Sequence, residues 1–322
     1  MKYRKLGKTD LQVSVLGLGC SRLGGTVEKS DDRTAKLILS KAHEYGINFF
    51  DTADIYAQGN SEKLIGDVFR GKRTEVIIAS KVGYRLNTAI SLGGKIKPIL
   101  RQLIRLIPAL KTSLAKARAS QTSQDFSGAY LKRAVEDSLK RLQTDYLDLL
   151  QLHSPLASVL QQEDIFEPLE ELKQEGKIRY YGVACRELED SQNCAAHSGT
   201  SSVQIPLNHL NSEKKDILVK LNNLHDIGIL AGRPFASGLL FDRRQRNTNL
   251  DHRKDNLPMT FETHTMAQTV LQYLFQFPWI STVLTGVTNI EHLQENVRSV
   301  DLPPISEIDF DVIRSLNRYQ QS

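Results

Sequence analysis

The period of the hydrophobic positions changes along the chain in a repeating way. Asp31 to Tyr45 carries Ala35, Ile38, Leu39 and Ala42 at helical spacing; Gly46 stops the pattern before the apolar run Ile47 to Asp51. Ser61 to Phe69 is helical again, and Glu75 to Lys81 is a strand-like run ending on a charge. After an interruption at 84–126, Ser127 is placed to cap a helix through Leu142, and the run Tyr146 to Leu152 ends on His153. Helix then strand recurs as Ile165–Gln174 before Tyr180–Val183, Leu188–His197 before Ser202–Pro206, and Lys214–His225 before Ile229–Ala231. A last round sets Thr263–Phe277 before Ser281–Leu284, with Ile290–Val300 behind it. Ahead of all this, residues 3–19 predict two short strands around the turn-rich Gly7-Lys8-Thr9-Asp10, the second running from Val13 to Leu18 and into Gly19.

Eight core strands result, nearly continuous in apolar residues, as parallel strands buried on both faces are. That number predicts an α/β fold closed into a (β/α)8 TIM barrel, one domain over residues 1–322. The amino-terminal hairpin would plug the barrel bottom, and Phe310 to Tyr319 would pack outside as an extra helix. The competing arrangement is an open doubly wound sheet. Against it, Gly17-Leu18-Gly19 continues with Cys20, Ser21 and Arg22, so the third glycine of a dinucleotide fingerprint is missing.

Composition narrows the setting. No apolar run approaches the ~20 residues that span a bilayer, the amino terminus lacks a signal-peptide core, and the expected location is cytoplasmic. Three cysteines, Cys20, Cys185 and Cys194, show neither metal-ligand spacing nor a disulfide framework, so reduced thiols and no metal are expected. The net charge of +5 is local: residues 85–124 hold eight basic side chains and no acidic one, and 5 − 8 leaves −3 elsewhere. Within that insertion Ile96, Ile99, Leu100, Leu103, Ile104, Ile107, Leu110 and Leu114 recur at helical spacing, broken by Pro108. One or two amphipathic basic helices are expected over residues 94–118, on the catalytic side of the barrel. A substrate lid, or contact with a partner or an anionic membrane surface, would suit them. Nucleic acid is not expected, since aromatics are not interleaved there.

Chemistry gathers at the strand ends. Asp51 closes strand two, Lys81 strand three and His153 strand four, with Tyr56 in the loop after strand two, and carboxyl ends of barrel strands face the active site. A phenol of pKa ~10 delivers a proton well only with help; Lys81 can lower that pKa, Asp51 can keep the lysine charged, and His153 can orient an oxygen. Singly, each residue has an ordinary structural reading. Their convergence at three successive strand ends is what points to a site.

The segments Asp51-Thr52-Ala53-Asp54-Ile55-Tyr56, Ala79-Ser80-Lys81-Val82-Gly83, and Arg141 through Asp148 to Leu152-His153-Ser154-Pro155 closely resemble the aldo-keto reductase superfamily. The opening Tyr3-Arg4-Lys5-Leu6-Gly7 through Leu16-Gly17-Leu18-Gly19 does so too. The resemblance covers nearly the whole chain. It implies a barrel oxidoreductase that passes a hydride between a nicotinamide cofactor and a small carbonyl or alcohol substrate. The family's catalytic tetrad would be Asp51, Tyr56, Lys81 and His153, with Tyr56 as general acid.

The implied cofactor pocket departs from the family. Gly182-Val183-Ala184-Cys185 stands where Gly-Val-Ser-Asn is usual, losing two carboxamide contacts, while Gln204 is retained. Gly232-Arg233-Pro234-Phe235 replaces Tyr-Ser-Pro-Leu and loses the ring that stacks on the nicotinamide. The remaining implied cofactor contacts are Gly19, Cys20, Cys185, Arg233, Pro234, Phe235, Ser237 and Gly238. Thr285-Gly286-Val287-Thr288 and His292 with Glu295 and Asn296 match the adenosine segment. Gly286 and His292 replace the lysine and arginine that often hold a 2′-phosphate. The family default is NADP(H), with NAD(H) the alternative. Arg22 and Tyr84 are candidate substrate contacts. A second reading is a cofactor-sensing regulatory or scaffolding subunit with little turnover, docking a partner through the basic insertion; oligomeric state stays open.

Overall fold

The structure is a computed structural model that describes residues 1–25, 30–86, 122–194, 197–208, 215–236 and 264–305. Its strands are β1 (Tyr3–Lys5), β2 (Gln12–Ser14), β3 (Leu16–Gly19), β4 (Phe49–Asp51), β5 (Ile77–Val82), β6 (Tyr84–Leu86), β7 (Thr122–Gln124), β8 (Leu147–His153), β9 (Ile178–Ala184), β10 (Thr200–Pro206), β11 (Gly228–Gly232) and β12 (Ile280–Thr285). The helices are α1 (Asp32–Glu44), α2 (Asn60–Phe69), α3 (Gly128–Leu142), α4 (Ala157–Leu160), α5 (Glu167–Gln174), α6 (Asp190–Cys194), α7 (Lys215–His225), α8 (Met266–Phe275) and α9 (Ile290–Arg298). Eight strands close into a parallel barrel in the order β10-β11-β12-β3-β4-β5-β8-β9, so the expected (β/α)8 architecture is present. No helix among the described residues is long and apolar enough to cross a membrane.

Strand parity divides the core in two. Phe49, Ile77, Ala79, Leu149, Leu230 and Leu284 point inward and pack with Leu6, Leu11 and Val13 of the hairpin β1–β2, which fills the barrel bottom. Their neighbours Phe50, Ile78, Leu150 and Leu152 belong to the layer between sheet and helices. The hairpin seats through Gly7: its φ is +49°, and a Cβ there would collide with the backbone of Asp226 and Gly228.

Three expectations are corrected. The single strand Val13–Leu18 is two, broken at Val15: Gln12–Ser14 pairs antiparallel with β1, and Leu16–Gly19 joins the barrel. Ser14 makes the corner, its hydroxyl donating to Leu16 O at 2.8 Å and its N–H to Asn48 Oδ1 at 2.8 Å. The helix expected over Leu188–His197 begins only at Asp190 and is described as Asp190–Cys194, with residues 195 and 196 outside the described ones; ahead of it the Ser191 hydroxyl donates to Leu188 O at 2.5 Å and favours a turn. Ser127 sits at the N-cap of α3 but gives its hydroxyl to Asp125 Oδ1 at 2.7 Å instead of capping. The insertion opens and closes as a hairpin, Tyr84 pairing Gln124 and Leu86 pairing Thr122. The helices expected at 94–118 and at 310–319 lie outside the described residues.

Candidate active site

The parity that builds the inner core also builds the site. Continuing inward from Phe49 gives Asp51, from Ile77 and Ala79 gives Lys81, and from Leu149 gives Gln151 and then His153. Lys81 Nζ lies 2.5 Å from Asp51 Oδ1 and 2.9 Å from Thr52 O, with both side chains buried. Gln151 and Gln204 each bring an Nε2 to 3.4 Å from Asp51, on Oδ1 and Oδ2 respectively. Tyr56 follows β4 in a short turn, its ring centroid 5.3 Å from Lys81 Nζ and 5.8 Å from the His153 ring, edge to face. Tyr84 closes the set, perpendicular to His153 at 4.8 Å.

Burial sets the protonation states. It pushes the Tyr56 phenol up, outweighing the downward pull of Lys81 and Arg233, so the group holds its proton at neutral pH. The expected influence of Lys81 exists, but it is the smaller effect. Burial opposes the Lys81 charge as well; there Asp51, joined by Tyr56, wins and leaves the pKa raised. His153 is pushed down to about 3 by burial, then Lys81 and Arg233, and is neutral at physiological pH. Its Nδ1 is buried with no partner among the described residues.

These groups stand at one side of a 970 Å³ cavity, within the range of a small-molecule site. Of the sequence candidates, Gly19, Arg22, Tyr84, Cys185, Gln204, Arg233, Pro234, Phe235, Gly286, His292, Glu295 and Asn296 also line it. Cys20 does not: its side chain is fully buried beneath, against Leu18 O. Thr288 is half-buried outside the lining, and Ser237 and Gly238 lie outside the described residues. The Arg22 Cδ is 4.0 Å from where a Cβ on Gly286 would be, which sets this arginine beside the strand-eight loop. Glu295 accepts from Thr265 Oγ1 at 2.6 Å.

The sequence reading missed Gln151, which strand parity two residues before His153 signals, and Arg186, which lines the cavity and donates Nη2 to the Tyr84 hydroxyl at 3.3 Å. It also missed backbone strain. Of the seven non-glycine residues with positive φ among the described residues, Ala57, Gln58, Ser154, Arg233 and Ala236 all lie within three residues of a cavity-lining side chain. Each left-handed residue costs about 1–3 kcal/mol, a load that gathers here instead of in the scaffold.

The site holds part of what a nicotinamide would need. Gln204 leaves Oε1 without a partner among the described residues, beside the Asp51–Lys81 pair, and cationic side chains stand at the cavity wall for phosphates. Closed parallel barrel, buried lysine–carboxylate pair, tyrosine and histidine at one mouth: these define a class of barrel oxidoreductases. The sequence model of the Aldo/keto reductase family matches residues 15–318, and the chain belongs to that family. It is 32% identical to the uncharacterized oxidoreductase YqkF of Bacillus subtilis over 330 residues, covering 98% of this chain and 96% of that one. Among solved structures it is similar to the holo form of aldo-keto reductase AKR11C1 from Bacillus halodurans, with TM-score 0.75, 32% identity, and 98% and 96% of the two chains covered. A probable voltage-gated potassium channel subunit beta of Arabidopsis thaliana is 25% identical over 339 residues, covering 95% and 93%. Members of the family are oxidoreductases that use nicotinamide cofactors and act on small carbonyl substrates.

Proposed function

We propose that this chain is a carbonyl reductase in which Tyr56 donates the proton to the substrate oxygen. The observation that carries the reading is the buried Asp51–Lys81 pair at 2.5 Å, set against Tyr56 with neutral His153 on the other side. A reduced nicotinamide, when bound along the cavity, supplies the hydride. The phenol of Tyr56 is protonated at neutral pH, which is the form that reduction consumes. As the phenolate forms, the Lys81 ammonium is the nearest positive charge, and Asp51 with Thr52 O holds that ammonium in place. His153 donates no net charge, so it orients the carbonyl oxygen by a hydrogen bond and leaves proton delivery to Tyr56. The carbonyl carbon then has taken the hydride and the oxygen the Tyr56 proton, giving an alcohol; solvent returns the proton to Tyr56.

Gln204 is the side chain to hold the carboxamide, since its Oε1 is otherwise unsatisfied. Arg22 beside Gly286 supplies a cation next to the position where relatives carry a lysine, which supports NADP(H) over NAD(H). The three cysteines are all free thiols, which fits a reducing compartment such as the cytoplasm.

Turnover of a panel of aldehydes and ketones, followed as NADPH oxidation, tests the assignment together with cofactor affinity. Tyr56→Phe is expected to lower kcat by about 10²–10⁴-fold while NADPH still binds. Cofactor binding without turnover of any carbonyl by the wild type would overturn the reductase reading. That outcome would favour the second reading, a cofactor-sensing subunit, for which likeness to the channel subunit and the glycine at position 232 speak.

A further inference from the structure

We propose that the carbonyl substrate carries an anionic group, a carboxylate or a phosphate, a few carbons from the carbonyl, and that Arg186 receives it. The inference rests on the reductase reading and adds the substrate class.

The charges around the cavity are unevenly compensated. Lys81 is cancelled by Asp51 at 2.5 Å, and His153 is neutral. Arg186 forms no ion pair among the described residues, although it lines the same cavity. Three carboxylates follow it closely in sequence, Glu187, Glu189 and Asp190; Glu187 also lines the cavity, Asp190 accepts from Glu187 N at 3.2 Å, and neither of these two forms an ion pair with Arg186 among the described residues. An arginine left unpaired at the wall of a cavity is a standing invitation to an anion, because its planar fork matches carboxylate and phosphate oxygens.

The position of Arg186 says which anion. A continuous series of contacts runs from the reacting centre: Tyr56 to His153 at 5.8 Å between rings, His153 to Tyr84 at 4.8 Å, and the Tyr84 hydroxyl to Arg186 Nη2 at 3.3 Å. Arg22 stands instead beside Gly286 on the strand-eight side, where the cofactor phosphates are expected. A cation at Tyr84 is therefore placed for the substrate and a cation at Gly286 for the cofactor. The Tyr84 end is also held in place. Tyr130 donates its hydroxyl to Tyr84 O at 2.6 Å, and Gln124 donates Nε2 to His153 O at 3.2 Å and Ser154 O at 2.8 Å. Arg186 thus works from a fixed platform, and the substrate's anionic end would sit across Tyr84 from its carbonyl.

The test compares pairs that share the aldehyde and differ in charge, at constant ionic strength: 5-oxopentanoate against its methyl ester, and glyceraldehyde 3-phosphate against glyceraldehyde. The wild type is expected to prefer the anionic member of at least one pair by about tenfold or more in kcat/KM. The pair that shows the preference tells carboxylate from phosphate. Arg186→Gln should abolish most of that ratio, Arg186→Lys should retain part of it, and added salt should weaken it in the wild type. Equal kcat/KM within both pairs, or a preference that survives Arg186→Gln in a protein of unchanged thermal midpoint, overturns the proposal while leaving the reductase reading intact. If no aldehyde is turned over, the reductase reading fails by itself. Calorimetric binding of 5-hydroxypentanoate and of glycerol 3-phosphate to wild type and Arg186→Gln then decides the anion site, and equal affinities for the two proteins refute it.

Discussion

Replacing Asp51 by asparagine should do more than slow the chemistry: it should add a rise of stability with pH that the Asp51–Lys81 pair does not give the wild type. In the wild type Lys81 is 1% exposed and Asp51 4%, and their charges meet at 2.5 Å. Removing one partner of a buried pair costs about 3–5 kcal/mol. The ceiling at pH 7 comes from neutralising the lysine, since a proton removed from a group of pKa ~10.4 at pH 7 costs about 4.6 kcal/mol. A loss on the order of 3–4 kcal/mol is expected, which for a chain of this size lowers the thermal midpoint by on the order of 10 °C. The sign of the pH dependence then follows. In the wild type the Lys81 pKa is raised, so the lysine is charged in both folded and unfolded states through pH 9 and contributes no slope. In Asp51→Asn the folded lysine has lost its partner and its pKa falls, so the unfolded chain binds one more proton than the folded one. Stability of the variant should rise with pH by up to about 1.4 kcal/mol per unit between neutrality and pH 9. Thermal or denaturant unfolding of both proteins at pH 7, 8 and 9 measures it. Lys81→Met in the same background should recover part of the loss, because an apolar chain leaves no unpaired charge. Parallel pH profiles for wild type and Asp51→Asn, or a loss below about 1 kcal/mol, would refute the view that this pair is tightly coupled and dry.

Two further substitutions test the scaffold around the site. Asp54 is pushed up to about 7 by burial and by the charge of Glu62, and its Oδ1 has no partner among the described residues. Its folded pKa lies above its unfolded one, so its destabilisation grows from about pH 4 to pH 7; Asp54→Asn should gain about 1–3 kcal/mol at pH 8 and little at pH 4 by thermal unfolding. Gly66 in α2 faces the end of α3, where an added Cβ would sit 2.5 Å from Leu142 O. Gly66→Ala should therefore lower the thermal midpoint, overpacking of about 1–3 kcal/mol exceeding the ~1 kcal/mol gained in helix propensity.

How far the sequence could be read follows from which forces leave a local trace. Barrel architecture did, because helical and strand periods alternate and the eight apolar runs are each long enough to be counted. Three of the four proposed catalytic residues did as well, since a strand ending on a charge is conspicuous in an apolar run and parity carries Asp51, Lys81 and His153 to one mouth. What left no trace was pairing across the fold. Arg141 and Asp148 formed part of the family signature, yet their contacts are structural: Arg141 Nε holds the buried Glu62 at 2.7 Å, and Asp148 is shared by Arg73 at 2.6 Å and Arg179 at 2.9 Å. Nothing near Glu62 in sequence announces Arg141, whose partner is seventy-nine residues away.

The same distinction explains why Arg22 was expected at the substrate and Arg186 was missed. Each follows a core strand within a few residues and each is exposed, so position in the chain does not tell their roles apart. Only the neighbours acquired in the fold differ, Gly286 for one and Tyr84 for the other. The proposed catalytic groups at the strand ends are thus placed by strand parity, which the sequence carries, whereas the proposed substrate and cofactor arginines are placed by which loop each leans on. Two chains of this family could share Asp51, Tyr56, Lys81 and His153 in register and still differ in substrate through a single loop cation. The substrate panel with Arg186→Gln therefore probes the part of the site that family membership leaves undetermined.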